Sequence, residues 1–232
     1  MNIFKKIIYL FTLLLFFKGF SIQSQNPNTI LNAVQLKLNK ANDYSVDVNI
    51  KVDLPFIKML PINAKIYFKQ KDKFKVESKS IAIVPKQGFV QLNKLINDTN
   101  SYTAVLQNSD NATGTKISLI NIIPLNDTGD VILGKLWIDE KNSVIKKSQI
   151  TTKTNGTILT EYIYGAQLAF GLPDIMNFEV DIKKFKVPKA VAADINTNAK
   201  KEAEKVGKKG KIIIKLTNYS INKGIADAIF KK

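Results

Sequence analysis

The chain alternates apolar and polar side chains along the stretch Tyr44-Ser-Val-Asp-Val-Asn-Ile-Lys-Val-Asp53. Because successive side chains of a β-strand point to opposite faces of its sheet, this pattern predicts a strand with one buried and one wet face. The alternation returns in Ile62 to Lys69, and the run Phe74 to Ser78 follows after a short Lys-Asp turn. These runs predict three consecutive strands.

Short strand-like runs also fill most of the chain downstream. They span residues 81–84, 89–92, 101–107, 116–123, 131–139, 144–153, 157–164, 175–185 and 211–216. Asn155-Gly156 separates two of these runs, and this dipeptide between alternating runs is a strong hairpin signal. Many short strands with turn residues between them predict a mainly β, antiparallel sandwich or barrel, formed as a single domain over residues 25–232.

Two segments depart from the strand pattern. Residues 27–41 predict an N-terminal helix, because Asn26 can cap it and Ile30, Leu31 and Val34 recur at helical spacing. Residues 189–209 are rich in Ala, Asn, Lys and Glu and contain no aromatic residue. We expect them to form a flexible, solvated insertion, with at most a helical turn or two within 199–205.

The first residues resemble an export signal. Lys5 and Lys6 precede an apolar run from Ile7 to Phe17, and polar residues follow. This order predicts a signal peptide over residues 1–24, cleaved near Ser24 or Gln25, and therefore a periplasmic protein. The apolar run is too short for a membrane-spanning helix, which needs roughly 20 residues.

The basic charge comes entirely from lysine. The chain carries 35 lysines, no arginine and a formal net charge of +16, which becomes +13 without the three leader lysines. Arginine is the residue favoured for bidentate recognition of bases and phosphates, so its absence argues against a specific nucleic-acid reader. We expect the lysines to favour an anionic surface, such as lipid head groups or an acidic partner.

The residues most used in catalysis are missing. The chain has no His and no Cys, which removes the usual general base, thiol nucleophile and transition-metal ligands. Its only adjacent acidic pair, Asp139-Glu140, precedes Lys141-Asn142 and is predicted to cap a turn. No glycine motif for phosphate binding is present either. The sequence therefore predicts a protein that is not an enzyme and that uses no cofactor or metal.

Several short motifs resemble the periplasmic lipoprotein carrier LolA and its relatives, in a form typical of Bacteroidetes. Ala64 to Glu77 is similar to the strand, turn and strand of that family. Leu136-Trp-Ile-Asp139 and Leu172 to Val180 resemble its second half, and Asn218 to Ile225 resembles its closing strand. Where the family ties its lid with an arginine on the early strands, this chain has Lys75 at the basic position of the hairpin.

The resemblance implies a half-open antiparallel β-barrel with an N-terminal helix and a helical or loop lid. Its apolar cavity would bind acyl chains of lipoproteins, or another lipid, and carry them towards the outer membrane as a monomer that meets receptor proteins in the inner and outer membranes. The expected lipid-binding residues lie on the early strands and in the loop between Leu54 and Pro61. They are Val46, Val48, Ile50, Phe56, Ile57, Met59, Leu60, Ile66, Phe68, Phe74 and Val76.

Two questions stay open at this point. The loop between Leu54 and Pro61 is either a connection folded onto the core or a mobile apolar flap over a binding site. The alternating strands fit a lipid cavity and a packed core equally well. A filled barrel would favour another function, a non-enzymatic envelope sensor or scaffold that binds a protein partner.

Overall fold

The computed structural model describes residues 25–56, 59–70, 73–79, 96–111, 114–126, 129–154, 156–183 and 196–231. The predicted leader, the runs 81–84 and 89–92, and Ile57 lie outside the described residues. Within the described ranges, no helix is both long and apolar enough to cross a membrane.

Ten strands form one antiparallel sheet in the described part of the chain, in the order β3-β2-β1-β10-β9-β8-β7-β6-β5-β4. The strands are β1 (Asp43–Asp53), β2 (Ile62–Lys69), β3 (Lys73–Ser78), β4 (Tyr102–Asp110), β5 (Ile117–Pro124), β6 (Val131–Asp139), β7 (Val144–Thr152), β8 (Gly156–Ile163), β9 (Ile175–Asp181) and β10 (Lys209–Ile221). The described edge strands β3 and β4 do not pair with each other, so the sheet is open. This confirms the mainly β, half-open antiparallel architecture.

The register places the apolar side of every strand on one face of the sheet, which we call the inner face. Val48 on β1 lies opposite Ala64 on β2 and Leu216 on β10. The polar residues between them, such as Asn49 and Lys51, point to the outer face. Period-two alternation therefore builds a single buried layer rather than two packed sheets.

Helix α1 (Pro27–Leu38) begins as the sequence predicts. Asn26 caps it by accepting a 2.9 Å hydrogen bond from the backbone N–H of Asn28. Ile30, Leu31 and Val34 are buried against the core. The helix ends at Leu38, three residues before the predicted Ala41, because Asn39 caps it and Ala41 is buried beside the start of β1.

Helix α2 (Thr197–Lys205) lies within residues 189–209, for which the sequence predicts a solvated insertion with at most a helical turn or two, and the structure describes residues 196–209 of that segment. Asn196 caps the helix by accepting a 3.0 Å hydrogen bond from the backbone N–H of Ala199. Ala203 is buried and Ala199 packs against the same core. Two alanines one helical turn apart are thus enough to dock a helix that is otherwise polar.

The two helices mark the two ends of the sheet. At the α1 end, β1 begins and β10 finishes, and Asn222 after β10 binds the backbone of Lys40 and Asn42. At the α2 end, β1 finishes and β10 begins. The connection between β1 and β2 also lies at the α2 end.

Candidate functional site

The inner face carries one continuous row of side chains across eight strands. By strand register, this row reads Val52, Ile212, Phe178, Thr160, Ser148, Leu136, Ile120 and Leu106. All of them except Leu106 are buried. The row shows that the inner face belongs to the whole sheet and not only to its first strands.

The structure brings most of the predicted site residues together on this face. Val46, Ile50 and Ile66 are fully buried at 0% exposure, and Val48 is 3% exposed. Phe68, Phe74 and Val76 are half-buried and pack against the same core. These seven predicted residues therefore occupy one side of the inner face, formed by β1, β2 and β3.

The sequence prediction missed the residues that the later strands add to this face. Met176, Phe178, Ile212 and Leu136 are each buried at 1% exposure or less. Their strands show the same alternation as β1. The signal was present in the sequence, but the resemblance directed the prediction to the early hairpin.

The loop between β1 and β2 is divided between the interior and solvent. Phe56 is 2% exposed and Met59 packs against the core, whereas Leu60 is 86% exposed. The backbone N–H of Asn196 donates a 3.1 Å hydrogen bond to the carbonyl of Phe56, and Lys200 Nζ lies 5.7 Å from the Phe56 ring centroid. The loop and α2 therefore close the α2 end together, and Leu60 does not join the other predicted site residues.

A few polar groups interrupt the inner face on the side formed by β4 to β8. Ser148 and Tyr162 share a 3.0 Å hydrogen bond, and both are buried. Burial raises the pKa of Tyr162 to about 12, although the hydrogen bonds with Ser148 and Thr160 oppose the rise. Tyr102 is 5% exposed, and its hydroxyl has no hydrogen-bonding partner among the described residues. This side of the interior is therefore less apolar than the β1 side.

A cluster of polar side chains holds the start of α1 to the sheet. Glu140 accepts a 2.7 Å hydrogen bond from Gln25, a hydrogen bond from Ser118 and a 3.0 Å ion pair from Lys116. Burial of Glu140 opposes ionisation, but the hydrogen bonds from Ser118, Gln25 and Lys116 outweigh it and lower the pKa of the carboxyl group. We call these four residues the Glu140 tether.

A second contact holds the other end of α1. Lys37 Nζ donates a 2.5 Å hydrogen bond to the carbonyl of Asn142, in the turn between β6 and β7. Asp139 shapes that turn by accepting hydrogen bonds from the backbone N–H and the side-chain amide of Asn142. Asp139 thus caps a turn as predicted, while the role of Glu140 in holding α1 was not foreseen.

Lys75, at the basic position of the hairpin, contacts the C-terminal end of the chain. It lies on the outer face, where its Nζ donates a 2.6 Å hydrogen bond to the carbonyl of Ile229 and pairs with Glu77 at 3.2 Å. Lys69 and Lys73 each hold Asp227 at 2.7 Å on the same face. The basic residues of this hairpin therefore bind the C-terminal turn Asp227–Phe230, and the polar contacts of α1 come from the Glu140 tether and Lys37 instead.

The comparisons with known proteins agree on the fold. The sequence matches no family model and no curated protein. A LolA superfamily protein from Nitrosomonas europaea superposes with a TM-score of 0.54 and 12% identity, over 90% of this chain and 99% of that chain. A domain from Vibrio parahaemolyticus described as an outer membrane lipoprotein-sorting protein gives 0.53 and 9%, over 88% and 97%.

A DUF1329 family protein from Desulfovibrio piger is similar to the same degree. Its TM-score is 0.52 at 12% identity, and the match covers 89% of this chain and 98% of that chain. At such identities the similarity is one of backbone architecture. The chain therefore has the LolA-like fold that its short sequence motifs lead us to expect.

Proposed function

We propose that the protein is an exported, non-enzymatic carrier that binds the acyl chains of lipoproteins, or of another lipid, on the inner face of its half-barrel. It would move them through the periplasm towards the outer membrane. The observation that carries this proposal is the continuous row of inner side chains, covered by a helix that side-chain contacts hold in place. The LolA-like fold supports the proposal as an architecture suited to this role.

The energies of the interior and of its cover are compatible with reversible binding. Burying an acyl chain contributes about 0.8 kcal/mol per methylene, so ten methylenes contribute about 8 kcal/mol. A charge-assisted hydrogen bond such as that between Gln25 and Glu140 is worth about 1.5–3 kcal/mol. Ten buried methylenes therefore outweigh that one hydrogen bond, and no covalent chemistry is required.

Native mass spectrometry of protein purified from its own envelope tests the proposal directly. We expect an acylated species to co-purify in about equimolar amount and to appear in the lipid extract. A clean mass of the protein alone, together with failure to take up a fluorescent fatty acid, would contradict the proposal.

A pair of neighbouring substitutions locates the lipid. Ala104 lies half-buried on the inner face of β4, and the adjacent Thr103 is exposed on the outer face. We expect Ala104→Phe to occupy interior space and to weaken fatty-acid uptake, whereas Thr103→Phe leaves it unchanged. Equal uptake by both folded variants would place the lipid elsewhere.

A second candidate function rests on the outer face. Val105, Ile123, Leu125 and Ile132 are 44–61% exposed along β4, β5 and the start of β6. Exposed apolar patches of this kind mark interaction surfaces. An envelope sensor or scaffold that binds a protein here would keep a filled interior. Detection of lipid-free protein alone in the mass spectrum would therefore favour this second function.

A further inference from the structure

We propose that the α2 end of the half-barrel binds the surface of an anionic lipid bilayer, into which Leu60 and Val206 insert. This inference goes beyond the proposed function and does not depend on a lipid inside the barrel. It rests on the unpaired charge, the exposed apolar side chains and the strand order at that end.

Several lysines at the α2 end have no ion pair among the described residues. Residues 196–211 contain six lysines and two glutamates, a net charge of +4, and Asp53, Glu179 and Asp181 lie beside Lys209 and Lys211 on the neighbouring strands. Lys200 pairs with Glu204 at 3.9 Å and Lys209 pairs with Glu179 at 2.5 Å. Across the described ranges, no carboxylate lies within ion-pairing distance of the four other lysines, all of them exposed: Lys201, Lys205, Lys208 and Lys211.

Two apolar side chains project from the same end. Leu60 is 86% exposed and Val206 is 63% exposed. Val206 lies one helical turn beyond the buried Ala203 and would continue the inward side of α2. The helix ends at Lys205, however, and Gly207 turns the chain away at a φ of +65°. The position of Val206 at the tip is therefore imposed by the helix end.

Strand order brings these features together. Leu60 lies two residues before β2, and Val206 lies three residues before β10. The two strands flank β1, and Ile62 at the start of β2 is level with Ile214 on β10. Because β10 begins five residues before Ile214, the two strand starts are separated by about 10 Å across the sheet and by about 17 Å along the strands. The hydrogen bond between Asn196 and Phe56 joins the loop of Leu60 to α2. The lysines and both exposed apolar side chains thus lie at the same end of the sheet.

The pattern fits a bilayer better than an acidic protein. Hydrocarbon accepts two separate apolar side chains, and the stems of neighbouring lysines can lie along the interface while their ammonium groups reach lipid phosphates. An acidic protein would satisfy the lysines but would need its own pockets for Leu60 and Val206. Each lysine near an anionic membrane adds about 1 kcal/mol, or about fivefold in affinity.

Vesicle flotation with protein purified from the periplasm tests the inference. The vesicles contain phosphatidylcholine and phosphatidylglycerol in a two-to-one ratio, or phosphatidylcholine alone. The first variant changes four lysines at the α2 end to glutamine, at positions 201, 205, 208 and 211. The matched control makes the same change in net charge at the α1 end, at the exposed Lys40, Lys141, Lys146 and Lys223.

We expect the first variant to bind anionic vesicles about 600-fold more weakly, with the control within about fivefold of the unchanged protein. Leu60→Ser with Val206→Ser should also weaken binding, whereas Leu36→Ser, at a side chain 70% exposed on α1, should not. Because all these side chains are exposed, the variants should fold. Circular dichroism checks that they do.

Three results would overturn the inference. Absence of binding to anionic vesicles would exclude a membrane-docking end. Equal losses in the two lysine variants would assign the attraction to net charge alone. Binding to soluble polyglutamate without binding to the vesicles would identify the α2 end as a site for an acidic protein.

Discussion

Replacing Glu140 with glutamine should loosen the start of α1 without unfolding the sheet. The carboxylate accepts hydrogen bonds from Gln25 on one oxygen and from Ser118 and Lys116 on the other. A glutamine amide offers only one accepting oxygen, and its NH2 group would face a donor. The change therefore removes at least one charge-assisted hydrogen bond, worth about 2 kcal/mol.

That loss corresponds to an increase in local opening of about 30-fold, because each 1.36 kcal/mol is a factor of ten. Hydrogen exchange at neutral pH measures it in a peptide spanning residues 25–41. The apolar contacts of Ile30, Leu31 and Val34 should keep α1 docked on average. Peptides from β9 and β10 should therefore exchange as in the unchanged protein.

Glu161→Gln is the matched control, because the contact of Glu161 among the described residues is an exposed ion pair with Lys147 at 3.8 Å. It should change the exchange of α1 by less than threefold. If Glu140→Gln also changes it by less than threefold, the Glu140 tether does not hold the helix. A uniform increase over all peptides would likewise refute the reasoning, because it would indicate global destabilisation.

Three further perturbations have defined outcomes. Tyr102→Phe should raise the free energy of unfolding in urea by about 1 kcal/mol, because it removes a buried hydroxyl without a partner, and a decrease would show that the hydroxyl is bonded. Gly171→Ala should lower the free energy of unfolding by about 1–2 kcal/mol, because φ is +67° and an added Cβ would lie 3.3 Å from Leu38. Gly129→Ala should be nearly neutral, because there is open space around Gly129. The raised pKa of Tyr162, about 12 against an ordinary 10, means that the folded state loses stability as pH rises above 10. A difference titration of phenolate absorbance against Tyr162→Phe should therefore show no step below pH 11.

Acid should act on α1 through Glu140. The pKa of this carboxyl group is lowered from 4.5 in the folded state, so its contribution to stability is present above that value. It disappears as the pH falls through the lowered pKa. Exchange of residues 25–41 should accelerate over that range in the unchanged protein but much less in Glu140→Gln, and identical acid profiles would contradict this assignment.

Local signals in the sequence were sufficient for the elements that depend on local physics. Asn26 and Pro27 mark the start of α1, and strict alternation marks β1, because capping and strand pleating are properties of neighbouring residues. Asn155-Gly156 marks the connection from β7 to β8 for the same reason. At most strand ends, the observed boundary differs from the predicted one by a few residues.

What could not be predicted depends on contacts between distant residues. Glu140 and Gln25 are 115 positions apart in the sequence, and no local pattern predicts the hydrogen bond between them. Lys75 lies on the outer face because it alternates with Phe74 and Val76, but its hydrogen bond to the carbonyl of Ile229 joins segments that are distant in sequence. The loop from Leu54 to Pro61 has no period, so its apolar residues gave no indication that Phe56 is buried and Leu60 exposed.

The pairing of β1 with β10 also constrains how the molecule is made. The second strand partner of β1 lies between Lys209 and Ile221, more than 150 residues along the chain. Until that segment arrives, β1 and β9 each lack a neighbour in the middle of the sheet. Such a distant contact makes folding slow relative to local structure formation. A chain synthesised from its N-terminus would thus complete its sheet only after β10 had been made.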